Sequence, residues 1–146
     1  MKPIQPARFY PDILPAFALE PLSDKFTIHY YNPNLGEGIV SLQKVPAGAN
    51  IFGFTGFLTT EITQYSLQIR SGIHLHDPYF TGKILHSCAP NAMCDMDKRV
   101  CTALKDIAPM DPITIDYAHT EDKLFKQFQC NCGAPGCRGL ITGRAE

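Results

Sequence analysis

Three cysteines fall within eight residues near the end of the chain, in the run Cys130-Asn131-Cys132-Gly133-Ala134-Pro135-Gly136-Cys137. Gly133, Pro135 and Gly136 favour turns, so the loop can fold back and bring three thiols to one point. Zinc prefers four tetrahedral thiolate or imidazole ligands, so three local thiols require a fourth ligand from elsewhere. Cys88, Cys94, Cys101, His86 and His119 are the candidates. Unligated buried thiols are the plainer alternative, because free cysteine is often core material. The C-x-C-x₄-C clustering favours zinc over that alternative. Met1–Pro6 lacks the apolar stretch of a signal peptide. The expectation is therefore an intracellular, cytoplasmic or nuclear chain, where disulfides between these cysteines are disfavoured.

The 146 residues predict one domain with a core of its own. Hydrophobic residues are 45% and charged residues 18%, which is globular and not disordered composition. A net charge of −1 lacks the basic surplus of a phosphate-backbone footprint, so no direct nucleic-acid binding is expected. No apolar run reaches the roughly 18 residues of a membrane span, so no membrane partner is expected either.

Residues 1–25 form a proline-rich N-terminal arm, with Pro3, Pro6, Pro11, Pro15 and Pro21 around Phe9, Tyr10 and Phe17. Proline opposes both helix and central strand, so the arm is expected to be extended and packed by its aromatics. For the first ten residues a disordered tail is the rival. From Phe26 onward short β-branched and aromatic runs are cut by turns. Strands are predicted near Phe26–Tyr31, Ile39–Leu42, Ile51–Phe54, Tyr65–Ile69, Val100–Leu104 and Ile113–Tyr117. Leu42–Pro46 before Ile51 and Leu104–Pro109 before Ile113 echo one another, each reading as strand, tight turn, strand. The one helix expected is Thr120–Phe128. Strand–helix alternation is missing, so the fold class is mostly β, made of several small sheets and not a parallel α/β array.

Ordered along the chain, Leu35-Gly36-Glu37-Gly38-Ile39, Lys44–Gly48, Tyr65–Ile69, His86-Ser87-Cys88-Ala89-Pro90-Asn91, Ile113–Tyr117 and the Cys130–Gly139 tail resemble the SET-domain protein-lysine methyltransferases with a post-SET zinc segment. The resemblance covers about residues 26–143. It implies a mostly β, SET-type fold of small curled sheets around a pseudoknot, with a short C-terminal zinc-binding segment. The segment after Tyr117 would pass close to His86–Asn91. It implies a SET domain at 26–120 and a post-SET segment at 121–146, and it does not extend to the N-terminal arm at 1–25. It assigns one structural zinc to Cys88, Cys130, Cys132 and Cys137, leaving Cys94 and Cys101 as ordinary core thiols.

The implied chemistry is methyl transfer from S-adenosylmethionine to the lysine amine of a protein or peptide substrate. Tyr117 and Tyr65 would be the catalytic-channel tyrosines. Gly36, Glu37, Gly38, Leu85, His86 and Phe128 would contact the cofactor, with His86 acting through its backbone and Phe125 beside Phe128. Asp116 would order its loop; Asp116 and Glu121 do not suggest a hydrolytic pair. His74, His76 and His86 read more simply as packed or surface histidines than as a second metal site.

The sequence departs from the family at three places. Leu85 replaces an asparagine whose amide contacts the amino-acid end of the cofactor. Losing one hydrogen bond to a charged group costs about 1.5–3 kcal/mol, or about ten- to hundredfold in affinity. Ile115 stands where the family has Phe or Tyr, so the number of methyl groups transferred is not readable. Lys83-Ile84 replaces the usual Arg-aromatic pair. These departures keep two alternatives open: a catalytically degenerate, zinc-stapled binding module, and an enzyme of the same fold acting on a small amine or doing other S-adenosylmethionine chemistry.

Overall fold

β-Branched and aromatic runs between turn signals leave little room for helix, and the computed structural model, which describes residues 5–146, is built almost entirely of short strands. They are β1 Phe26–Asn32, β2 Gly36–Ser41, β3 Asn50–Gly53, β4 Phe57–Thr59, β5 Ser66–Arg70 and β6 Ile73–His76. Then come β7 Leu85–His86, β8 Ala92–Asp95, β9 Val100–Ala103 and β10 Thr114–Ile115, the helical turn α1 Tyr117–Thr120, β11 Phe128–Gln129 and β12 Leu140–Ile141. The sheets are β1-β2, β3-β9-β8, β4-β6-β5, β7-β10 and β11-β12, and among the described residues only β7-β10 is parallel.

The first hairpin shows how the sequence sets register. Asn32 turns its side-chain oxygen onto the N–H groups of Asn34 and Leu35 (2.9 and 2.8 Å). Gly36 then adopts φ +69°, a conformation that suits glycine. β1 and β2 pair antiparallel from Phe26↔Ser41 to Asn32↔Gly36, which buries Phe26 and Ile39 on the core. Phe26, Phe52 and Phe80 meet edge to face at 4.8–5.6 Å and, with Leu75, Ile84, Ile107, Ile113 and Ile115, form its centre.

The two echoed segments pair with each other. Val45 and Ile107 exchange both backbone hydrogen bonds (2.9 and 2.8 Å), and the Asp106 carboxylate accepts from the Ala47 N–H. The similarity in sequence is thus two turns that close the same seam from opposite sides.

Residues 5–24 lie along this body. Arg8 is held by Glu20 (2.6 and 3.0 Å), and Phe9 stacks near Phe80 at 4.8 Å. Tyr10, 2% exposed, donates its hydroxyl to the buried Asp77 carboxylate (2.6 Å) and accepts from the Thr55 N–H (3.2 Å). Asp77 also accepts the N–H groups of Tyr79, Phe80 and Thr81, which shapes the 3₁₀ turn Thr81–Lys83. From residue 5 onward the arm is therefore packed through its aromatics; the first four residues of the disordered-tail alternative lie outside the described residues.

Three expectations need correction. No helix spans Thr120–Phe128: the helical turn ends at Thr120, and Phe125 is 61% exposed. The apolar trio Leu124, Phe125 and Phe128 is too short a stripe to nucleate a helix against competing loop contacts. Tyr117 does not end a strand but opens α1, because Asp116 caps that turn by accepting the Ala118 N–H. Cys94 and Cys101 are not separate core thiols. They lie directly opposite on β8 and β9, with Cα atoms 4.2 Å apart, and are joined as a disulfide.

Candidate functional site

The parallel pair β7-β10 assembles the site. Leu85 lies beside Thr114 and His86 beside Ile115, and the Ser87 N–H continues the ladder to the Ile115 carbonyl (3.0 Å). Asn91 fastens the crossing: its side chain accepts the Thr114 N–H (2.9 Å) and donates to the Pro112 carbonyl (2.8 Å). Residues 85–91 and 112–117, 21 to 32 positions apart in chain order, are thereby locked side by side.

Tyr117 leaves this crossing as the first residue of α1. Its N–H is one of the donors that a helical start leaves unpaired. It is taken up by Nδ1 of His86 at 3.0 Å. Its hydroxyl donates to the Ile84 carbonyl at 2.5 Å. Burial, helped by the charge of Glu121, pushes the phenol above its ordinary range, so it stays protonated. The rings of His86, Tyr117 and Phe128 pack together at 5.2–5.8 Å. Phe128 is therefore beside the tyrosine; Phe125 is out in solvent and does not join it.

His86 lies 3.8 Å from an Asp116 oxygen, but this is not an ion pair. Nδ1 accepts from Tyr117, so it carries no proton, and burial lowers the imidazole's affinity for a second one. The carboxylate is committed to Arg138, which holds both its oxygens (2.9 and 2.7 Å) and draws its pKa down against the opposing effect of burial. Asp116 thus orders its loop and ties it to the cysteine tail.

The four thiols of Cys88, Cys130, Cys132 and Cys137 lie within 4.8 Å of one another, the one such cluster among the described residues. The Arg138 N–H points at the Cys88 sulfur (3.4 Å). The Ala134 N–H pulls Cys132 down to about 6, whereas burial pushes Cys130 up to about 12. A tetrahedral cation with Zn–S near 2.3 Å requires sulfurs roughly this far apart, and N–H groups directed at sulfur suit thiolates. The donor set fits zinc. Cys94 and Cys101 are spoken for by each other, and His86 faces Tyr117 and the Cys88 sulfur without joining the cluster. His74 and His76 share a face of β6, but His76 engages Thr63 (2.7 Å) and His86 is elsewhere, so the three histidines do not converge.

Leu85 and Tyr31 fill the space over Gly38: a Cβ there would come within 2.7 and 2.9 Å of them. Glu37 on β2 and Lys83 in the 3₁₀ turn form an ion pair at 3.5 Å. Gly36 faces open space. Tyr65 sits in the turn before β5 and not in a strand. Its backbone packs on Gly82, two residues before the Ile84 carbonyl that holds Tyr117. The sequence did not disclose the partners of the His86 side chain, Lys83 or Arg138. For Arg138 a signal existed, an arginine directly after the last cysteine; for His86 and Lys83 only the fold shows the partner.

Comparison with known proteins places these observations in a lineage. The sequence profile described as SET domain matches residues 36–118. The chain is 29% identical over 136 residues to a histone-lysine N-methyltransferase, H3 lysine-4 specific, of Eremothecium gossypii, covering 86% of this chain and 13% of that one. It is 30% identical over 109 residues to methyltransferase flvH of Aspergillus flavus, covering 73% and 61%. The chain thus spans less than two-thirds of the length of either relative. Among solved structures, KRYPTONITE in complex with mCHH DNA, H3(1-15) peptide and SAH superposes with a TM-score of 0.62 at 26% identity, over 79% of this chain and 29% of that one. The crossing of β7 and β10, the tyrosine it presents, the cysteine tail and the profile match agree: the chain belongs to the SET-domain family.

Proposed function

We propose that the chain transfers a methyl group from S-adenosylmethionine to the side-chain amine of a lysine in a protein or peptide. The observation that carries this reading is Tyr117, fixed at both its amide and its hydroxyl within the family's crossing. The SAH and H3 peptide of the KRYPTONITE complex support the cofactor and substrate classes. We propose residues 26–120 as the catalytic body, 121–146 as the segment that carries zinc, and an intracellular, cytoplasmic or nuclear setting.

The donor, when bound, supplies a methyl carbon made electrophilic by its sulfonium. The protein's task is then orientation, because in-line delivery of a neutral amine is worth many kcal/mol of barrier. Tyr117 spends its proton on Ile84. Its oxygen lone pairs remain as acceptors for polarised C–H or N–H groups. With its pKa raised, it is no general base at neutral pH. The lysine must arrive neutral by losing its proton to water, helped by desolvation. Tyr65, across the Gly82 turn, is the second residue assigned to the amine channel.

Gly36, the Gly38 backbone, His86 and Phe128 would border the cofactor. Leu85 offers no polar contact, but the Glu37–Lys83 pair beside it presents both charge signs. Glu37 would face the ammonium and Lys83 the carboxylate of the methionyl end. Zinc would be held by Cys88, Cys130, Cys132 and Cys137, and would staple the tail to the crossing.

Leu85 is the specific observation that favours a second reading, in which the site has lost transfer and serves binding alone or takes a smaller amine. Titration calorimetry of S-adenosylmethionine into zinc-loaded protein, beside Tyr117→Phe, separates them. Micromolar binding, with methylation of a lysine-peptide library that the variant loses, supports the enzyme. Absence of binding by a folded, zinc-loaded chain overturns it.

A further inference from the structure

The His86 imidazole is doubly committed. Its side chain is only 1% exposed. On one edge Nδ1 accepts the Tyr117 N–H at 3.0 Å. On the other, Nε2 lies 3.4 Å from the Cys88 sulfur. One neutral tautomer satisfies both: Nδ1 bare, Nε2 protonated and donating to sulfur. The opposite tautomer would aim a proton at the Tyr117 N–H and leave Nε2 facing a thiolate with nothing to donate. The rings of Tyr117 and Phe128 pack on the imidazole at 5.2 and 5.7 Å. Among the described residues, no other side chain hydrogen-bonds both Tyr117 and a cysteine of the cluster.

We infer that His86 is a positioning residue that registers Tyr117 against the cysteine site, its Nδ1 holding the tyrosine amide and its Nε2–H bonding the Cys88 thiolate. The cysteine cluster then does more than staple a tail. It sets the imidazole's tautomer and tilt, and through that ring it sets where α1 begins and where the Tyr117 hydroxyl points. The inference rests on reading the four cysteines as a zinc site, but not on any substrate.

Asparagine and glutamine split the two contacts. Asn carries an acceptor near the place of Nδ1, and Gln carries an N–H donor near the place of Nε2. The experiment uses the full, zinc-loaded, ¹⁵N-labelled chain and its His86→Asn and His86→Gln variants. Long-range ¹H–¹⁵N correlation reads the His86 tautomer, amide exchange reads protection of Tyr117, and chelator competition reads zinc affinity. Expected are the Nε2–H tautomer and a Tyr117 amide protected roughly tenfold or more over His86→Gln. His86→Asn should retain that protection but bind zinc about tenfold more weakly than wild type, a usual loss for an outer-shell partner. His86→Gln should keep zinc affinity within a few-fold. The Nδ1–H tautomer, unchanged Tyr117 exchange in His86→Gln, or equal effects of the two variants on both readouts would overturn the inference. Should a variant fail to fold, the wild-type tautomer alone decides it. Wild-type protein that binds no zinc overturns it too, whereas failure to bind S-adenosylmethionine refutes only the methyltransferase reading.

Discussion

Replacing Tyr10 by phenylalanine removes one oxygen from the centre of the arm's attachment. That oxygen donates to the Asp77 carboxylate at 2.6 Å and accepts the Thr55 N–H at 3.2 Å, with Tyr10 and Asp77 at most 2% exposed. A hydrogen bond to a charged partner contributes about 1.5–3 kcal/mol, and an amide left without its acceptor adds about 1 kcal/mol. Asp77 keeps three backbone donors, which limits the damage. The expected loss is therefore about 2–3 kcal/mol. For a chain of this length that lowers Tm by about 5–10 °C. Urea unfolding followed by tyrosine fluorescence and by circular dichroism should show a lower midpoint with an unchanged m-value. A loss below about 0.5 kcal/mol would refute the claim that the arm is fastened through this oxygen, and with it the view of residues 5–24 as an integral part of the fold.

Burial holds the Glu121 proton more tightly in the folded chain, so the native state binds the extra proton and stability should fall as pH rises from the ordinary carboxylate range to the raised folded value. Glu121→Gln, whose side-chain oxygen can still accept the Gln68 N–H, should flatten that slope and be the more stable at pH 8; a pH–stability curve parallel to wild type would contradict the reasoning. Arg138→Gln frees Asp116, and because the pair is partly exposed the stability cost should stay below about 1 kcal/mol, while zinc leaves for a chelator several-fold faster. Leu85→Asn keeps the shape but sets a polar amide against Gly38 and Tyr31, so stability should drop by about 1–3 kcal/mol without a gain in S-adenosylmethionine affinity. A tenfold gain in calorimetry would mean that leucine is a defect and not part of a refitted site. Chelation of the wild-type chain should release the tail first, seen as exposure of four reactive thiols before the core unfolds.

Strand positions were readable because Phe26–Tyr31, Ile51–Phe54 and Val100–Leu104 alternate between turn signals, and those elements appear within a residue or two. The convergence of Cys88 with the tail was not readable from spacing, since 42 residues separate it from Cys130; only the ordered motifs implied it. The Thr120–Phe128 helix failed because its apolar spacing carried no information about Arg144, which turns back to occupy the carbonyls of His119 and Thr120. The Cys94–Cys101 pairing needed the β8–β9 register, which the sequence of that hairpin does not disclose before Asp95 and Arg99 are seen to close its turn. The His86 side chain was invisible for a similar reason, since its partners are a backbone amide 31 positions away and a sulfur.

The wide separation of Cys88 from the other three thiols also dictates an order of events during folding. Three sulfurs within one flexible loop meet quickly, so that loop can seize a metal ion while the rest of the chain is still unfolded. The fourth sulfur arrives only after β7 has found β10, a slow, nonlocal step. The three thiols of the tail should therefore become protected before Cys88 does in refolding with zinc, and protection of Cys88 would report that the crossing has formed.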